Sequence, residues 1–174
     1  MDIELSIHCR AWLNDIPEAT ALARRAARAA LAMAPVRGGA PVRGGALSLA
    51  IALSDDAFLR RLNRDFRGCD EATNVLSFPA APPIAPDQPC HLGDIAIAHQ
   101  TVLRQAAARA ITPADHLAHM VVHGVLHLLG YDHMTPGEAA LMEPLEGVIL
   151  RRLGIADPYG DDDLPGARFP AGRP

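Results

Sequence analysis

Residues 123–133 read His-Gly-Val-Leu-His-Leu-Leu-Gly-Tyr-Asp-His, which gathers three imidazoles and a carboxylate into eleven positions. On a helix, His123 and His127 are four residues apart and share one face, a single turn from each other. Gly130 ends that helix, because glycine readily takes the left-handed conformation that follows a last turn. The reversal brings His133 back toward the same face. Three imidazoles converging in this way form a facial site for Zn²⁺ with a fourth position open to water. Closed structural sites normally use four protein ligands, so three point to catalysis. A zinc-bound water has its pKa lowered toward about 7 and supplies hydroxide at neutral pH. Three imidazoles also suit Cu, Ni or Fe.

His116 and His119 lie upstream on the same helix, and His119, His123 and His127 form a competing row. The outer members of such a row stand about 12 Å apart along the axis, too far for one ion. His133 is therefore the better third ligand, and His119 a supporting residue. The spacing H-x-x-x-H-x-x-G-x-x-H is also the frame of the metzincin proteases, where the residue after the first His is a Glu acting as general base. Here that residue is Gly124. The ligand frame is present without the protease's proton acceptor, which weighs against peptide hydrolysis.

The elements that must position this block can be read from the pattern on either side. Ile3, Leu5 and Ile7 alternate with polar residues and mark a strand over Ile3–Cys9. Pro17 suits the first turn of a helix that continues from Glu18 to Ala34. Ala34-Pro-Val-Arg-Gly-Gly is then repeated as Ala40-Pro-Val-Arg-Gly-Gly, a loop insertion over residues 34–45. A second strand spans Ala46–Leu53, and Ser54-Asp55-Asp56 offers N-cap chemistry for a helix to about Asn63. Asn74–Phe78 reads as a third strand, Ala80–Pro89 as a proline-rich loop, and Leu92–Ala98 as a fourth strand in which Gly93 marks a bulge or close approach. Helices follow over Gln100–Ala110, Pro113–Leu129 and Pro136–Leu153. The expected architecture is α+β, a small mixed sheet of about four strands packed with about five helices, with the metal site on a helix of the C-terminal half.

At 174 residues the chain fits one domain, assigned to residues 1–156, with residues 157–174 as a disordered tail rich in Pro, Gly and Asp. Apolar residues make up 49% of it and aromatics 4%, so the core is built from Ala, Leu, Val and Ile. Three cysteines, odd in number and without a CxxC pair, argue against a disulfide framework and for a reducing compartment. No segment reads as a signal peptide or a membrane span, so the expected location is the cytoplasm. The net charge of −4 comes with sixteen basic residues, all of them arginine. A mildly acidic whole does not advertise nucleic-acid binding, yet Arg60, Arg61, Arg64 and Arg67 crowd one short segment.

At the histidine block the sequence resembles the YbeY family of bacterial endoribonucleases. The likeness extends to Leu62-Asn63, Arg67, Asp70 and Thr73-Asn74-Val75-Leu76-Ser77-Phe78-Pro79, then Leu92-Gly93-Asp94-Ile95, and finally Met142, Glu146 and Leu153-Gly154. Ala72 stands where that family usually has Pro, and Cys69 where a basic residue is common. The resemblance implies a zinc-dependent endoribonuclease acting on single-stranded RNA. It further implies a role in 16S ribosomal RNA maturation and ribosome quality control, with the small ribosomal subunit and its assembly factors as partners. It also places a functional arginine at Arg67, whose guanidinium fork matches phosphate oxygens. With no Glu at position 124, Asp132 is the candidate base or orienter of a ligand; its other reading is a loop residue bonding its own backbone. Ser77 and Asp94 are candidates to line the cleft. Two other classes stay open: a metallopeptidase-like hydrolase, and a ribosome-assembly factor in which the metal is mainly structural.

Overall fold

The computed structural model describes residues 1–37, 47–81 and 90–160. In chain order the elements are β1 (Asp2–Ile7), α1 (Ala11–Asp15), α2 (Ala19–Met33), β2 (Leu47–Ser54) and α3 (Asp56–Arg67). They continue with β3 (Val75–Pro79), β4 (Cys90–Ala98), α4 (His99–Ala108), α5 (Pro113–Leu128) and α6 (Pro136–Arg152). The four strands form one sheet in the order β1-β2-β4-β3, with β1, β2 and β4 parallel and β3 antiparallel to β4. This is the mixed α+β architecture expected from the pattern.

The sheet separates two apolar layers, as the alternation along β4 shows. Ile95 and Ile97 enter the larger core with Leu49, Ile51 and Leu53 of β2, while Ala96 and Ala98 face the smaller one beneath Leu59 of α3. The larger layer holds α2 and α5 and draws in Met142, Ile149 and Leu150 of α6. Helix α5 is its centre: Leu117, Ala118, Met120, Val121, Val122, Val125 and Leu126 are all wholly buried. No helix among the described residues is long and apolar enough to cross a membrane.

The described residues hold six helices rather than five, because the short α1 carries no repeat from which to read it. Trp12 fixes it, being fully buried and donating from Nε1 to the Ser54 carbonyl at 2.9 Å. Pro17 sits in the turn before the Glu18 N-cap, not in the first helical turn. Helix α3 runs four residues beyond Asn63 and stops at Gly68, whose φ of 68° is left-handed. Of the insertion at 34–45, only 34–37 lie within the described residues; Arg37 donates its N–H to the Leu129 carbonyl. The stretch assigned to a disordered tail opens with order: Asp157 pairs with Arg151, and Tyr159 packs against α6. Residues 161–174 lie outside the description.

Candidate metal centre

Local chemistry fixes α5 at both ends. Thr112 caps its N-terminus by accepting from the Asp115 N–H at 3.0 Å, and Pro113 occupies the first turn. At the C-terminus Gly130, with φ 86°, donates to the His127 carbonyl and Tyr131 donates to that of Leu126. That pair of bonds is the Schellman arrangement, and it turns the chain so that His133 faces the helix it has just left.

His123, His127 and His133 come together as a result. Their ring centroids lie 4.6, 5.1 and 5.2 Å apart in pairs, and one nitrogen from each lies within 4.8 Å of the others. The His123 and His127 Nε2 atoms are 3.0 Å apart. Tetrahedral zinc with bonds of about 2.05 Å would hold two nitrogens about 3.3 Å apart, so this pair is nearly in place. The Nδ1 of His123 lies 2.9 Å from Glu146 Oε1. A carboxylate only accepts, so Nδ1 carries a proton, and in the neutral ring Nε2 is then the lone-pair nitrogen that faces His127. Burial, then the neighbouring His123 and His133, lowers the His127 pKa to about 4, which keeps that ring neutral. Neutral imidazoles with converging lone pairs are the form that binds a metal, and the donor set fits zinc.

His119 does not join this cluster. It is buried with its Nε2 3.8 Å from Glu146 Oε1. His116, also buried, has its pKa lowered to about 3, chiefly by burial, and its Nε2 meets Gln105 Oε1 at 2.8 Å. Asp132 Oδ1 accepts the backbone N–H of His133 at 2.7 Å, so its carboxylate braces the His133 peptide. Ser77 ties β3 to α5 by donating to the Gly124 carbonyl at 3.1 Å, while Asp94 is exposed and pairs with His91.

Gly124 marks the close approach of α5 to the sheet. A Cβ there would stand 3.0 and 3.1 Å from two Ile95 carbons and 3.1 Å from Ser77 Oγ. The position at which a metzincin carries its Glu is thus pressed onto β3 and β4, where a side chain would crowd Ile95 and Ser77.

Arg67 lies in the exposed last turn of α3. Its neighbours are engaged: Arg60 binds Asp70 through two hydrogen bonds, Arg64 pairs with Asp65 and Asp70, and Arg61 lies over the Phe58 ring. Arg67 has no carboxylate partner among the described residues. Adjacent Phe66 packs edge-on to Phe78, the residue after Ser77, at 5.2 Å. This contact joins the end of α3 to the strand that holds α5.

The sequence model of the endoribonuclease YbeY family matches residues 7–154. The chain belongs to that family. It is 46% identical over 165 residues to an endoribonuclease YbeY of Paramagnetospirillum magneticum, covering 92% of this chain and 97% of that protein. It is 49% identical over 154 residues to one of Rhodospirillum rubrum, covering 86% and 77%. A third, from Azorhizobium caulinodans, is 48% identical over 159 residues, covering 91% and 96%. The family match includes every residue of the histidine cluster and Arg67.

Two residues at this centre did not stand out in the sequence. Glu146 appeared only as part of a resemblance, and Tyr159 lay in the segment assigned to the tail. In the structure Tyr159 donates its hydroxyl to Glu146 Oε2 at 2.5 Å. Burial would raise the Glu146 carboxyl, but the imidazoles of His119 and His123 outweigh it and hold the group below the usual carboxylate range. Burial and then the Glu146 charge raise the Tyr159 phenol, so it stays a donor. The signal that could have found Glu146 is a lone carboxylate on an otherwise apolar face of α6.

Proposed function

We propose that this chain is a zinc-dependent endoribonuclease that cuts single-stranded RNA. On this reading it works in the cytoplasm in 16S ribosomal RNA maturation and ribosome quality control, alongside the small ribosomal subunit and its assembly factors. The observation that carries the proposal is the convergence of His123, His127 and His133 donor nitrogens in a chain of this family. A zinc ion held there supplies Lewis acidity that makes a water molecule nucleophilic near neutral pH. The residues of the chain do the rest. His123 and His127 present lone pairs from one helix face, and Asp132 orients His133 through its backbone. Arg67 receives the phosphate: its guanidinium offers paired donors and, among the described residues, is not engaged by a carboxylate as Arg60 and Arg64 are. The packing of Gly124 on Ile95 disfavours the metallopeptidase reading.

The test is cleavage of an unstructured RNA oligonucleotide by purified protein, before chelation, after chelation, and after zinc is returned. Activity lost and then restored supports the proposal. Cleavage indifferent to chelation would leave a ribosome-assembly factor with a structural metal as the better reading. Run alongside, Arg67→Ala should keep its zinc and lose turnover by about 10²–10³-fold, the range for removing one preorganised charge-stabilising donor. Normal cleavage by that variant would remove the phosphate role.

A further inference from the structure

Glu146 is one of the few charged side chains in the core, with 1% of its surface exposed. It stands on α6 beside Gly147 and reaches across to α5. Among the described residues no guanidinium lies within ion-pair distance of it, and the groups facing it are His119 and His123. A carboxylate buried on those terms is costly unless hydrogen bonds and opposite charge offset it. The hydrogen bonds are supplied by His123 Nδ1 at 2.9 Å and the Tyr159 hydroxyl at 2.5 Å. None of the described arginines supplies the opposite charge. It would come from a cation on the far nitrogen of the His123 ring.

Tyr159 is held there by a second fitted contact. The Asp157 carboxylate occupies the space beside Gly147, where a Cβ would stand within 2.7 Å of both its oxygens. Asp157 also accepts the Tyr159 N–H at 3.0 Å and pairs with Arg151. The turn after α6 is therefore locked onto the helix with the phenol aimed at Glu146. Tyr159 lies beyond the region that the family sequence model matches.

From this geometry, and resting on the metal reading above, we infer that Glu146 and Tyr159 are positioning residues for the metal centre. Glu146 holds His123 in the Nδ1–H tautomer, and Tyr159 holds Glu146. A ligating histidine whose other nitrogen donates to a carboxylate is oriented and made more basic, and loss of such a partner typically weakens metal binding 10- to 100-fold. Glu146→Ala should fall toward the upper end of that range. Glu146→Gln keeps an acceptor but loses the charge, and it should fall near the lower end together with Tyr159→Phe.

Two measurements test this. The first is the His123 tautomer in metal-free wild type, read from nitrogen-15 shifts of the imidazole; Nδ1–H is expected, and Nε2–H would overturn the inference. The second is zinc affinity by competition with a chromophoric chelator, for wild type, Glu146→Gln, Tyr159→Phe and Glu146→Ala. A merely structural role would lower the melting temperature of the metal-free protein and leave zinc affinity in the folded protein unchanged, which would overturn it too. Should Glu146→Ala fail to fold, the Gln and Phe variants decide. Wild type that takes up no zinc would instead overturn the metal reading beneath this inference. The tautomer, being read without metal, separates that failure from this one.

Discussion

Replacing His127 with Ala is expected to leave a folded protein that holds no metal and cuts no RNA. The ring is one of two whose Nε2 atoms face each other at 3.0 Å, so its loss takes away half of the best-formed part of the site. Two imidazoles on one ion leave a zinc site short of the three protein ligands that catalytic centres use. The fold should survive. The side chain is only partly buried on α5, which is anchored instead by its apolar faces and caps, and Ala is the best helix former. Plasma mass spectrometry should find about one zinc per chain in wild type and almost none in the variant, with cleavage at assay background. Unchanged metal stoichiometry would sink the ligand assignment.

Gly93→Ala should produce the largest loss of stability of any glycine-to-alanine change among the described residues. Between the partner pairs Ser48–His91 and Ala50–Asp94, β4 advances by one residue more than β2, which places a bulge at Leu92–Gly93. Gly93 has a φ of 137°, which side-chain-bearing residues rarely adopt. An added Cβ would overlap the Phe78 carbonyl and lie 2.9 Å from Leu128 Cδ2, at the end of the histidine helix. Backbone strain and overpacking together cost about 3 kcal/mol or more, against a total stability of about 5–15 kcal/mol. The urea midpoint should fall steeply. Gly137→Ala is the matched control: the site is open, in the first turn of α6, and a gain of about 0.5–1 kcal/mol is expected. Equal midpoints for the two variants would show that the approach at Gly93 is not tight.

The bulge and the histidine cluster were both legible in the sequence, because both are local. Gly93 interrupts a strand pattern, and the spacing of His123, His127, Gly130 and His133 encodes a helix face and a turn in one stretch. The strand and helix pattern likewise gave the mixed sheet. Glu146 and Tyr159 were not legible as site residues, since what defines them is the packing of α6 and its following turn against α5. No spacing along the chain records that contact. Helix α1 escaped for a related reason: five residues give no period, and Trp12 is fixed by its bond to Ser54, far away in sequence. Arg67 could be placed at a helix end but not judged, because the pairing of Arg60 and Arg64 with Asp70 depends on how the chain turns after Gly68.

The three histidines sit within eleven consecutive residues, whereas Glu146 and Tyr159 arrive from other parts of the fold. On the proposed metal reading, an unfolded chain still carries the three candidate ligands in one short segment and should retain some affinity for zinc. A ligand stabilises the native state only by the difference between its affinities for the folded and unfolded forms. Added zinc should raise the melting temperature by less than its native-state affinity alone would give. On the metal reading, the binding energy that protects the fold comes from what folding alone supplies: the helix and turn that bring the three rings together, and the Glu146 carboxylate, braced by Tyr159, behind His123.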